Sequence, residues 1–218
     1  MQGVMQEVLT KITGAPVILY ASGRTDAGVH ALGQVCNFWT ASAIPPEKYA
    51  TICRLPKDIQ ILSSELAENK FHAQHSAFWK RYRYLLQRSL PSVFEHRFKT
   101  FYPYNLNLKL MRAASSAVLG NHDFSSFCSA KATVKSLRRT IYQFSIKQED
   151  RTTVFEVVGN GFLYNMVRIM VGTLCKIGQG KLIDLKEVLE ARERSVAGPT
   201  MPPEGLYLVQ VGYQHFTK

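Results

Sequence analysis

The chain has 218 residues, 46% of them hydrophobic, enough for one large domain or two small ones with a packed core. Lysine and arginine number 27 against 16 aspartates and glutamates, and this formal charge of +11 points to a polyanionic partner rather than a small metabolite; a nucleic acid, a ribosomal surface or an anionic membrane surface each satisfies it. Cys36, Cys53, Cys128 and Cys175 form no Cys-x-x-Cys pair or Cys/His cluster and follow no signal peptide, so they read as reduced, mostly buried thiols of a cytoplasmic protein without a zinc site.

In chain order, residues 2–13 set Val4, Val8, Leu9 and Ile12 at helical spacing and predict a helix that Gly14-Ala-Pro16 ends. Two strand-like runs, 17–20 and 34–39, flank a glycine-rich loop. Ile44-Pro-Pro46 opens a less regular connection, residues 59–62 predict a short strand, and the alternation over 81–86 predicts another. Residues 89–104 read as the connection between an N-terminal half, 1–99, and a C-terminal half, 100–218.

Residues 108–119 then predict a helix stopped by Gly120, and 141–146 with 152–158 a hairpin about Gln148-Glu-Asp150. The apolar stretch 162–177 is interrupted by Asn165, Arg168 and Lys176, which predicts a buried helix rather than a membrane span. Residues 182–194 predict an amphipathic helix and 205–212 a closing strand. Strands and helices alternate with frequent hairpins: an α+β fold, its sheet largely antiparallel, helices on its outer face.

Three stretches carry chemistry. Ala21-Ser-Gly-Arg-Thr-Asp-Ala-Gly-Val-His-Ala-Leu-Gly-Gln34 holds Asp26 in a short loop beside Arg24 and between Gly23 and Gly28. On spacing alone this is a surface turn with a capping aspartate. Phe71-His-Ala-Gln-His-Ser-Ala-Phe-Trp-Lys-Arg-Tyr-Arg-Tyr84 interleaves Lys80, Arg81 and Arg83 with Phe78, Trp79, Tyr82 and Tyr84. Such a surface stacks bases and holds phosphates, or is an amphipathic strand with snorkelling cations. Asn160-Gly-Phe-Leu-Tyr-Asn-Met-Val-Arg-Ile-Met-Val-Gly172 sets Arg168 on an apolar helix, where it reaches solvent or pairs with a carboxylate. The six histidines show no metal-ligand spacing, and no Walker or dinucleotide fingerprint is present.

Gly23-Arg-Thr-Asp-Ala-Gly-Val-His30 closely resembles the signature of the tRNA pseudouridine synthase A family, and the resemblance makes Asp26 the catalytic residue. The run 71–84 is similar to the family's second motif and makes Tyr82 the residue that packs on the target base, with Gln74 where an arginine is usual. Residues 160–172 look like the family's Met-Val-Arg helix, whose arginine, Arg168, pairs with the catalytic aspartate and favours its ionised form. Asn165 stands where some members carry histidine. Gly120-Asn-His-Asp-Phe-Ser-Ser-Phe127 and Gly198-Pro-Thr-Met-Pro-Pro-Glu-Gly-Leu-Tyr-Leu208 are similar to later motifs, which puts Phe124 in the core and Leu206 in a uracil pocket. Family members begin with a strand and a turn carrying Tyr-Asp-Gly and Gly-Trp-Gln, whereas Met1-Gln-Gly-Val falls where their next helix opens, so that strand and turn are expected to be missing.

The resemblance implies the pseudouridine synthase fold, a largely antiparallel central sheet built from two similar α/β halves with flanking helices. It implies a cofactor-independent isomerase that converts uridine to pseudouridine at positions 38, 39 and 40 of the tRNA anticodon stem-loop, and a homodimer. Arg24, His30, Tyr82 and Leu206 are then the substrate-binding residues, and Lys80, Arg81 and Arg83 the RNA-binding ones. The competing expectation is a catalytically silent, truncated RNA-binding protein.

Overall fold

The computed structural model describes residues 1–129, 136–182 and 184–217. Its elements, in chain order, are α1 (Gln2–Thr13), β1 (Tyr20–Ala21), β2 (His30–Ala31), β3 (Cys36–Asn37), α2 (Tyr49–Ile52), β4 (Trp79–Gln87), β5 (Thr100–Phe101), α3 (Leu108–Ser115), β6 (Gly120–Asp123), β7 (Arg138–Glu149), β8 (Thr152–Gly159), α4 (Met166–Gly178), α5 (Leu185–Ala191) and β9 (Leu206–Gly212). They fall into two compact units, Met1–Arg24 with Gln34–Ala77 and Thr25–Gly33 with Phe78–Lys218. These units interleave along the chain.

In the first unit, α1 ends where Gly14 turns left-handed (φ 73°) and donates its N–H to the Thr10 carbonyl. The face of α1 that packs is Met5, Leu9 and Ile12, against Val17, Leu19 and Tyr49; Val4, expected inside, is exposed. The strand predicted over 17–20 shortens to β1 because α1 takes its backbone groups. Gln2 donates to the Leu19 carbonyl, Gln6 accepts from the Leu19 N–H, and Thr10 accepts from the Val17 N–H. β1 then pairs antiparallel with β3, Tyr20 opposite Asn37. Residues 59–62 form no strand, and Leu62 lies exposed.

The second unit holds a seven-stranded mixed sheet in the order β2-β9-β4-β8-β7-β6, with β5 paired to β4. Neighbours are antiparallel except β2 with β9 and β4 with β5. The central strand β4 alternates Tyr82, Tyr84 and Leu86, all buried, with the partly exposed Arg81, Arg83 and Leu85. Period two puts the first set on one sheet face, where β9 sets Leu208 and Leu206 opposite Tyr82 and Tyr84. α4 is apolar almost all round and correspondingly buried, packed against α3, α5 and β4.

Several predicted boundaries moved for local reasons. The hairpin strands run longer, through 138–149 and 152–159, and turn at Asp150 in a left-handed conformation. The helix predicted to run to 119 gives way after Ser115 to a 3-10 turn, Ser116–Val118, so Gly120 opens β6 instead of capping a helix. α4 starts at Met166 rather than at 162 because Asn165 turns left-handed. The amphipathic helix predicted over 182–194 is α5, from the Asp184 cap to a left-handed Arg192; residue 183 lies outside the described residues.

Candidate active site

Asp26 opens a tight turn in which the Val29 N–H donates to its carbonyl at 3.1 Å. The third position of that turn needs a positive φ, and Gly28 supplies it at 84°. A side chain there would also press on Pro203, since an added Cβ would lie 2.9 Å from Pro203 Cγ. The turn runs into β2, held in parallel register by β9 with His30 opposite Tyr207. Glycine is thus required on two counts for the carboxylate to stand where it does.

The guanidinium of Arg168 meets that carboxylate. Its Nη1 donates to Asp26 Oδ2 at 3.0 Å, with the two side chains 14% and 29% exposed, so the pair sits at the edge of the interior. Nη1 also donates to Asn165 Oδ1 at 2.7 Å, and Nε donates to the Met201 carbonyl at 2.6 Å. The Met201 N–H returns a bond to the Arg168 carbonyl. The segment around Met201 is itself pinned. The Gly198 N–H donates to Thr173 Oγ1, Arg194 donates to the Gly198 carbonyl, and the Tyr84 hydroxyl donates to the Pro202 carbonyl. Gly172 lets this segment lie on α4, because a Cβ there would stand 2.0 Å from the Pro199 carbonyl oxygen.

Tyr82 completes the group. Its ring is buried in the central strand, and Phe162 meets it edge-on at 5.0 Å. Burial, and after it the nearby negative charge of Asp26, push its phenol up to about 12. The hydroxyl therefore stays protonated at neutral pH. One carboxylate, one fixed cation and one aromatic face are brought together from the turn before β2, α4 and β4.

Of the other sequence-predicted site residues, all but Arg24 lie on the seven-stranded sheet. Leu206 is buried at the start of β9 on the Tyr82 face of the sheet. His30 stacks on Tyr207 at 4.8 Å and places Nε2 2.7 Å from the Arg97 carbonyl, on the other face of the sheet. Arg81 and Arg83 also lie on that face, where each donates to Glu156 at 3.2 Å. Lys80 shares the Tyr82 face, and burial lowers its ammonium below the ordinary lysine value. Arg24 is exposed and belongs to the other compact unit. The four cysteines are free thiols, Cys128 and Cys175 buried, and no group of metal-ligating side chains occurs among the described residues.

Sequence reasoning passed over three contributors. Asn165 lies three residues before Arg168, a spacing that puts two side chains on one helix face, and that is the signal that identifies it. Phe162 lies in the same motif. Met201 acts through its carbonyl, for which no side-chain pattern exists.

A family model described as tRNA pseudouridine synthase matches residues 114–214. The tRNA pseudouridine synthase A of Acetivibrio thermocellus is 45% identical over 218 residues, 97% of this chain and 89% of its own. That of Geobacillus kaustophilus is 44% identical over 219 residues, 98% of this chain and 85% of its own. Among solved structures, a chain of a Cbf5-Nop10-Gar1 complex overlays with a TM-score of 0.42 at 13% identity, over 95% of this chain and 44% of that one.

Proposed function

Because the chain belongs to the tRNA pseudouridine synthase A family, we propose that it isomerises uridine to pseudouridine in the tRNA anticodon stem-loop, at positions 38, 39 and 40. The observation that carries this reading is the Arg168–Asp26 pair set beside Tyr82. A uridine in an RNA arm must leave the stack to reach these groups, at a cost on the order of a few kcal/mol. Phosphate contacts and stacking on Tyr82 offset that cost.

In the reaction the N1–C1′ bond breaks, the uracil turns over, and a C5–C1′ bond forms. The C5 proton is lost and N1 gains one, so the product is an isomer and the chemistry needs no cofactor. Asp26 acts at the sugar, as a nucleophile at C1′ or a base at C2′, and Arg168 fixes its position through the 3.0 Å ion pair. Tyr82 stacks on the uracil and relays the C5 proton, its neutral hydroxyl passing its own proton to solvent as it accepts that one, while Leu206 closes the pocket behind the ring. Arg24 grips the target phosphate or fills the space the base leaves. Lys80, Arg81 and Arg83 form the RNA-binding strand; the last two share one countercharge, Glu156, so their patch keeps a net positive charge. His30 steadies β2 next to Asp26.

The protein is proposed to work in the cytoplasm as a homodimer. Leu90, Val93 and Phe94, 76%, 77% and 85% exposed in one short segment, support an apolar contact with a second copy. Among the described residues no helix is long and apolar enough to cross a membrane.

The test is release of tritium from tRNA labelled at uridine C5. Wild-type protein should release label, and transcripts with cytidine at 38, 39 and 40 should release none. Tight tRNA binding without release would identify an RNA-binding protein instead.

A further inference from the structure

Asn165 occupies a position where its backbone alone would explain it. It precedes α4 with φ 62° and ψ 6°, a left-handed conformation that asparagine tolerates better than most residues and glycine better still. An asparagine at a helix N-terminus ordinarily turns its side chain onto the first free backbone N–H groups. Here it caps none of them. Its Oδ1 accepts from Arg168 Nη1 at 2.7 Å, and its Nδ2 donates to Ser129 Oγ at 2.9 Å.

We propose that Asn165 is the positioning residue of this site, aiming the Arg168 guanidinium at Asp26. Nη1 carries two N–H groups. One is engaged by Asp26 and the other by Asn165, while Met201 takes Nε–H. The guanidinium is planar, so acceptors on Nε and on both Nη1 hydrogens fix its plane and its rotation together. Remove the Asn165 amide and the remaining bonds hold the plane less firmly at the end that faces the carboxylate. Ser129 sets the amide in turn: by taking Nδ2–H it leaves Oδ1, rather than nitrogen, facing Arg168. The relay runs Ser129, Asn165, Arg168, Asp26, and only its last member reaches the substrate. The inference rests on the reading of Asp26 as the catalytic group.

Asn165→Gly separates side chain from backbone, because glycine adopts the same left-handed conformation without strain. In the C5-tritium release assay this variant should lose about tenfold in kcat, the scale of one hydrogen bond to a charged group. Its KM for tRNA and its melting temperature should stay close to wild type. Ser129→Ala should lose less, in the same direction, and the double variant should be no slower than Asn165→Gly, as expected of residues acting through one relay. Wild-type kcat in Asn165→Gly, a loss accompanied by equal losses in binding and melting temperature, or additive effects in the double variant would each overturn the proposal. Asp26→Ala, run alongside, separates the two ideas: turnover by that variant defeats the catalytic reading itself, whereas an inert Asp26→Ala beside a fully active Asn165→Gly defeats the relay alone.

Discussion

Arg168 Nη1 and Asp26 Oδ2 stand 3.0 Å apart although 142 positions separate them in the chain. The contact links the turn before the edge strand β2 to the first turn of the buried helix α4, so the charge at the site depends on the folding of the whole second unit.

Arg168→Ala should therefore abolish turnover while largely sparing tRNA affinity. It should also destabilise the fold by about 1–3 kcal/mol, since the Met201 carbonyl and the Asp26 carboxylate both lose a charged donor. Arg168→Lys should rescue stability better than rate, because an ammonium cannot reproduce three donors in one plane. Urea unfolding and steady-state kinetics on the two variants check this; undiminished turnover in Arg168→Ala would remove the pair from the mechanism.

Tyr82→Phe keeps the ring and loses the hydroxyl. With the phenol pushed up to about 12, the group is present as a proton carrier, not as a ready anion, at working pH. Its loss should slow C5-proton release by about 100-fold, within the range of proton-transfer catalysis, at unchanged KM. Tyr82→Leu should raise KM as well, through lost stacking. A wild-type rate in Tyr82→Phe would confine the residue to stacking.

Much of this arrangement was legible along the chain. α1 and its Gly14 stop, the alternation of β4, the long hairpin and the buried α4 each follow from periodicity and turn chemistry, because each is decided within its own neighbours. What was not legible depends on distant partners. β2 is two residues long and exists because β9 pairs with it. The run 17–20 reads as a strand but gives its backbone groups to α1 side chains. The cations of β4 read as a phosphate-holding surface or as the snorkelling edge of an amphipathic strand, and only the register of β8 sets Glu156 between Arg81 and Arg83. At the site, the resemblance nominated Asp26, Tyr82 and Arg168, and the three-residue spacing could have added Asn165, while the Met201 carbonyl became visible only in three dimensions.

Gly172 should not accept a methyl group. An added Cβ would meet the Pro199 carbonyl oxygen at 2.0 Å, so Gly172→Ala must lift the segment whose Met201 carbonyl holds Arg168. The expected cost is about 1–3 kcal/mol with a matching fall in turnover. Gly3, in α1, meets nothing within 4 Å, and Gly3→Ala should stabilise by roughly 0.5–1 kcal/mol without touching activity. Thermal melts and tritium release on both variants decide the point.

Alkali should weaken the fold. Burial raises the Cys175 thiol to about 12 from its usual value near 9, and Tyr82 to about 12 from near 10. In the unfolded chain both groups lose their protons earlier, so between about pH 9 and 12 the folded state binds more protons and its stability falls as pH rises. Each group contributes at most about 1.4 kcal/mol per pH unit. Cys175→Ala should flatten the decline measured by urea midpoints at pH 8 and pH 10.5; an unchanged slope would mean the thiol does not govern it.

The most direct measurement is single-turnover release of tritium from C5-labelled tRNA by wild type and by Asp26→Asn, which keeps the side-chain shape and an oxygen for Arg168. The carboxylate account predicts release by the wild type, none above background for the variant, and equal tRNA affinity for both. Release by Asp26→Asn at the wild-type rate would contradict it.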